Sequence, residues 1–122
     1  NKYIISVNGT ECRLTEIEFY YKGKVHHDTF THGDEMQKKL AKWYFHKKGG
    51  TYKTASYKGL DLSFGQADGA IGGILIRSIE DINTGAYYEG PCICVNTILT
   101  LNKFGTNDVK GIVADDDFSL DV

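Results

Sequence analysis

The run Gly72-Gly73-Ile74-Leu75-Ile76-Arg77-Ser78-Ile79-Glu80 constrains this chain more than any other stretch. Ile74, Leu75, Ile76, Ser78 and Ile79 predict a buried strand, and Arg77 sits in its middle. A lone buried guanidinium is prohibitively costly, so this side chain must either point outward or be paired. Strand alternation allows an outward arginine between inward-facing Ile76 and Ser78. A carboxylate on a neighbouring strand is the other solution, and Glu18 is its candidate.

The rest of the chain is punctuated by fourteen glycines and one proline, Pro91. Residues 3–7 read as a short strand ended by the turn pair Asn8-Gly9. Residues 12–21 read as a longer strand. Simple alternation puts Cys12, Leu14 and Glu16 on one face, with Glu18 following them, and Ile17, Phe19 and Tyr21 on the other. Carboxylates would then stand where a core or pocket is expected. Lys22-Gly23 turns the chain. Residues 34–43 are the best helix candidate: Asp34 and Glu35 suit its first turn, lysines its end, and Met36, Leu40 and Trp43 form a stripe at i, i+4 and i+7. A Lys47-Lys48-Gly49-Gly50 turn leads to a strand over 51–57. Leu60, Leu62 and Phe64 then alternate with Asp61 and Ser63 as a half-buried strand. Residues 65–73, with four glycines, read as a loop. Pro91 predicts a helix start for 92–101, and the acidic tail 115–122 is expected to fray. The class is α+β: a curved, mostly antiparallel sheet with one or two helices, in a single domain over 1–122.

At 41% hydrophobic and 25% charged residues, the composition is that of a globular domain able to bury a core. No apolar run approaches the ~20 residues of a membrane span, and the N-terminus has no signal-like apolar region. The first residue is not Met, so a longer natural chain is expected. Cys12, Cys92 and Cys94 are odd in number and complete no zinc signature, which makes them buried reduced thiols and favours an intracellular location. The net charge of -2 argues against nucleic acid, but its distribution does not. Residues 38–60 hold seven lysines and no acidic residue, interleaved with Trp43, Tyr44, Phe45, Tyr52 and Tyr57. Aromatics that stack bases among lysines that neutralise phosphates make a nucleic-acid-binding strip.

Several segments resemble one family in order. Thr15-Glu16-Ile17-Glu18-Phe19-Tyr20 is similar to the Glu-Thr-Glu-Ala-Tyr strand of the alkyladenine (3-methyladenine) DNA glycosylases. Asp28-Thr29-Phe30-Thr31-His32 resembles that family's loop with a base-contacting histidine. Tyr44 to Tyr52 resembles its Met-Phe-x-x-Pro-Gly-x-x-Tyr segment, Tyr57-Lys58-Gly59 its Tyr-Gly turn, and Leu75-Ile76-Arg77-Ser78-Ile79-Glu80 its Leu-Ile-Arg-Ala-Leu-Glu strand. The similarity spans residues 12–81. The chain is shorter than a full family member, lacks the turn proline and shows no equivalent of the pocket asparagine after Gly59.

The resemblance implies this fold and a DNA N-glycosylase acting on a base rotated out of the stack. Glu18 would activate a water as general base. Arg77 would orient that water and keep the carboxylate ionised. His32 and Tyr20 would hold the extruded base, and Tyr57 would fill the gap it leaves. Trp43, His46, Tyr52, Lys53 and Lys58 would complete the DNA-binding surface, with no cofactor or metal required. Three rival readings stand beside it. One is a non-catalytic nucleic-acid-binding module of the same fold. Another is a hydrolase of free nucleosides or nucleotides. The third is a metal enzyme using His26, Asp28 and a distal His46.

Overall fold

The computed structural model describes residues 3–22, 40–48, 51–54, 57–64, 71–109 and 120–121. Strand β1 (Ile4–Val7) turns through Asn8 and Gly9, both at positive φ, into β2 (Thr10–Lys22). A two-residue loop of this kind matches the right-handed twist of the strands it joins, and Asn-Gly tolerates its backbone. Next come β3 (Leu40–Phe45), the short pair β4 (Lys47–Lys48) and β5 (Thr51–Tyr52), and β6 (Leu60–Phe64). Strand β7 (Ile71–Asp81) leads into β8 (Tyr87–Glu89), helix α1 (Pro91–Leu101) and β9 (Leu120–Asp121).

The main sheet has the order β3-β6-β7-β2-β1-β9, every recorded pairing is antiparallel, and it curls into a half-barrel. Strand β7 is its centre: β2 runs along one side, while β6 and then β8 share the other. The α+β class with a curved antiparallel sheet and one described helix is therefore present. Pro91 opens α1, where a missing N–H costs nothing. Gly90 enters it at φ 108, and Asn102 closes it with both its backbone and side-chain N–H on Ile98 O. No helix among the described residues is long and apolar enough to cross a membrane.

Two departures from regular pairing decide which side chains share a face. Between β2 and β7 the register runs Leu14↔Ile79, Glu16↔Ser78, Ile17↔Ile76, so Thr15 and Arg77 are each an extra residue. Such bulges re-aim the side chains around them. Directly opposed residues lie on the same face. One face thus carries Cys12, Leu14, Ile17 and Phe19 with Ile79, Ile76 and Ile74, and continues to Leu62 and Trp43. The opposite face carries Arg13, Glu16, Glu18 and Tyr20 with Glu80, Ser78, Leu75 and Gly73, and continues to Asp61 and Tyr44. This corrects simple alternation, which placed Leu14 with Glu16 and Glu18.

Helix α1 covers part of the apolar face. Cys94, Val95, Ile98 and Leu99 are buried against Ile5, Val7, Cys12, Phe45, Leu60, Ile76 and Ile79. Each such aliphatic side chain contributes about 1.5–3 kcal/mol by leaving water. The three cysteines are free. Burial pushes the Cys94 thiol up to about 12, with Cys12 adding to the effect, and burial also raises Cys12, helped by Asp81.

Four sequence expectations are corrected. Leu40 to Trp43 belong to β3, not to a helix over 34–43; the rest of that span lies outside the described residues. Of the strand expected over 51–57, the described residues are strand only at Thr51–Tyr52; Lys53 and Thr54 are not, and the Tyr57 N–H donates to Thr54 O. Part of the presumed loop 65–73 is strand, since β7 begins at Ile71. Within the acidic tail, Leu120 and Asp121 are paired with Val7 and Ser6 rather than frayed, and the rest of 115–122 lies outside the described residues.

Candidate functional site

The polar face of the sheet gathers the chemistry. Arg77, the extra residue of β7, donates from Nη1 to Glu18 Oε2 at 2.7 Å, and its Nε lies 3.5 Å from Glu16 Oε1. The arginine that the sequence marked as anomalous is therefore paired, and with the expected carboxylate. The pair is not sunk in a cavity. Glu18 and Arg77 keep 46% and 39% of their side-chain surface, so water screens their attraction. Further along the face, Arg13 Nη1 donates to Glu80 Oε2 at 2.8 Å. Between the two ion pairs, buried Ser78 accepts from Thr15 Oγ1 at 2.9 Å and from the Tyr87 hydroxyl at 3.1 Å.

At the other end of the face lies a cluster that sequence reasoning missed. Asp61 is fully buried, although alternation in 60–64 put it on the solvent side. The Tyr20 hydroxyl donates to its Oδ2, and His46 Nε2 meets the same oxygen at 2.9 Å. A carboxylate oxygen only accepts, so that imidazole nitrogen carries the proton. Two glycines make room for the rings. A Cβ at Gly59 would lie 2.7 Å from His46 Cε1 and Nδ1, and one at Gly73 would collide with the Tyr20 phenol. The only sequence signal for this cluster was a charged residue within an apolar alternation. Its partners come from β2 and from the residue after β3, far away in the chain.

Of the remaining candidates, Tyr57 is 73% exposed and lines a shallow hollow of about 440 Å³ with Thr51, Lys53 and Thr54. That arrangement can present an aromatic face and an ammonium to a ligand. Tyr52 instead packs against the core, with the Lys47 ammonium 4.8 Å from its ring centroid. Trp43 lies on the apolar face, where it lines a hollow of about 350 Å³ with Leu14, Ile17, Phe19, Leu62 and Ile74. It is thus separated by the sheet from Glu18 and Arg77. Lys58 is not a surface lysine: it is 5% exposed, and its Nζ donates to Asn96 Oδ1, Thr106 O and Asn107 Oδ1. Its three N–H groups tie the approach to β6 to α1 and the turn beyond, which removes it from the expected DNA-binding set. His32, His26 and Asp28 lie outside the described residues. Among the described residues no three His, Cys, Asp or Glu side chains converge as a metal site.

No family model matches this sequence, and no solved structure matches it. The sequence is similar to an uncharacterized protein of Acanthamoeba polyphaga mimivirus, with 38% identity over 117 residues. The match takes in 85% of this chain and 54% of the viral protein, so the chain spans about half the length of that relative.

Proposed function

We propose that this chain is a glycosylase-like protein, a shortened relative of the alkyladenine DNA glycosylases, that hydrolyses the N-glycosidic bond of a modified base turned out of DNA. One observation carries the reading. The Glu18 carboxylate and the Arg77 guanidinium meet at 2.7 Å, held by opposed strands at a bulge. Tyr20 stands two residues along β2 on the same face as Glu18. In this reading Glu18 takes a proton from water as that water attacks the anomeric carbon, and Arg77 holds both water and carboxylate in line. Tyr20 and His46 bear on the extruded base, Tyr57 fills the vacated stack, and Lys53 meets a phosphate. The open setting of the pair makes the DNA itself the group that excludes water from it. Reduced thiols and a DNA partner suit an intracellular location.

The same openness favours a second reading, a nucleic-acid-binding module without turnover, because Glu16 competes with Glu18 for Arg77. Glu18→Gln separates the two. Single-turnover base release from duplexes carrying alkylated bases should fall roughly 10²–10⁴-fold while binding persists. Release that is undetectable in the unmodified protein, with binding intact in both, leaves the binding module standing.

A further inference from the structure

Asp61 Oδ1 is the one buried side-chain polar atom among the described residues that has no hydrogen-bond partner. Its sister oxygen takes both the Tyr20 hydroxyl and the His46 imidazole. A buried acceptor left unmade is costly, more so on a carboxylate, so this oxygen is held ready for a donor. Because the group only accepts, the missing partner must be an N–H or O–H.

The register says where that donor would belong. Asp61 is opposite Leu75, and Leu75 is opposite Glu18, so the three form one row across β6, β7 and β2 on the polar face. Two strand spacings separate the carboxylate-bearing positions, roughly 10 Å, with the half-buried Leu75 between them. A flat heterocycle lying over Leu75 would have its sugar end toward Glu18 and its far edge toward Asp61. Tyr20, diagonal to this row, is half-buried and bonded to Asp61.

We propose that Asp61 is the base-selecting residue of this site, accepting an N–H from the exocyclic amino group of an adenine- or cytosine-type base. The inference rests on the base-handling reading above and adds the substrate class. Oδ1 is shielded from solvent in the free protein, so the Tyr20 ring, bonded to the sister oxygen, must turn aside before an amino group can reach it. A base with a carbonyl at that edge would set acceptor against acceptor and be refused.

The test uses DNA duplexes identical except for one base placed opposite an abasic-site analogue: cytosine against uracil, and adenine against hypoxanthine. Binding is read by fluorescence anisotropy at one fixed salt concentration. The unmodified protein should favour the amino-bearing member of each pair by roughly tenfold. Asp61→Asn, which offers a donor as well as an acceptor, should abolish or invert that ratio. Tyr20→Phe, which spares Oδ1, should keep it even at lower affinity. Should Asp61→Asn fail to fold, the ratios of the other two proteins decide. Equal binding of amino and carbonyl partners overturns the inference and leaves base handling intact. No binding of any duplex overturns both. A kept ratio alongside release indifferent to Glu18→Gln upholds Asp61 and sinks the catalytic reading.

Discussion

The two faces of the β7-centred sheet are built from the same strands by opposite physics. On the helix-covered face, Ile76, Ile79, Val95, Ile98 and Leu99 are buried together, and what matters there is volume and exclusion of water. On the other face, Arg77, Glu16 and Glu18 stay half-exposed, while Asp61, Tyr20 and His46 are tied by directed bonds. What matters there is which donor meets which acceptor. One face therefore holds the packed core and the other holds directed polar bonds, and substitutions on each should be read by different measurements.

The largest effect on stability should come from the helix side. Ile98→Ala removes a fully buried side chain from the centre of the core and should cost about 2–5 kcal/mol in urea unfolding. If the chain binds DNA as proposed, the surviving folded fraction of this variant should bind as tightly as the unmodified protein. A loss of binding beyond the loss of folded protein would mean that the two faces are not separable.

Alkaline pH should act through the same core, by a few kcal/mol. Cys94 is pushed up to about 12 in the fold from an ordinary 9.0. A neutral thiol is thus favoured by folding. Its contribution is fully present below pH 9 and is lost as pH rises from there toward 12, approaching roughly 4 kcal/mol. The check is the difference in stability-versus-pH slope between the unmodified protein and Cys94→Ala. Equal slopes above pH 9 would contradict the burial of that thiol.

The smallest effect is expected on the polar side. Glu16→Gln removes a 3.5 Å contact between half-exposed groups and should change stability by at most about 1 kcal/mol, an effect that fades at high salt. A cost of several kcal/mol would show the polar face to be as structural as the apolar one.

Much of this division was legible in the sequence, but not all. The Asn8-Gly9 hairpin, the strand over 60–64 and the helix opened by Pro91 follow from local chemistry: a turn dipeptide, an alternation and a ring without an N–H. That Arg77 must point out or be paired was equally local, whereas Glu18 as its partner, 59 residues away, came with the functional reading. What failed was the assignment of faces. A bulge turns a two-residue strand step into a three-residue one, so Leu14 and Ile17 share a face that alternation denies them. Strand β3 carries a register skip as well, between Leu40 and Lys42. Asp61 and Lys58 were misread for another reason. Each is buried by partners distant in sequence, and nothing local announces them.

The most direct test of the two-face account is methyl NMR during titration with a duplex containing an unpaired cytosine. Leu75 sits on the polar face between Glu18 and Asp61, whereas its neighbours Ile74 and Ile76 point to the opposite side, as does Ile17. The account predicts saturable shifts of the Leu75 methyls, with those of Ile17, Ile74 and Ile76 nearly unmoved. Shifts concentrated on Ile17 and Ile74 while Leu75 stays still would place the ligand on the wrong face and contradict it.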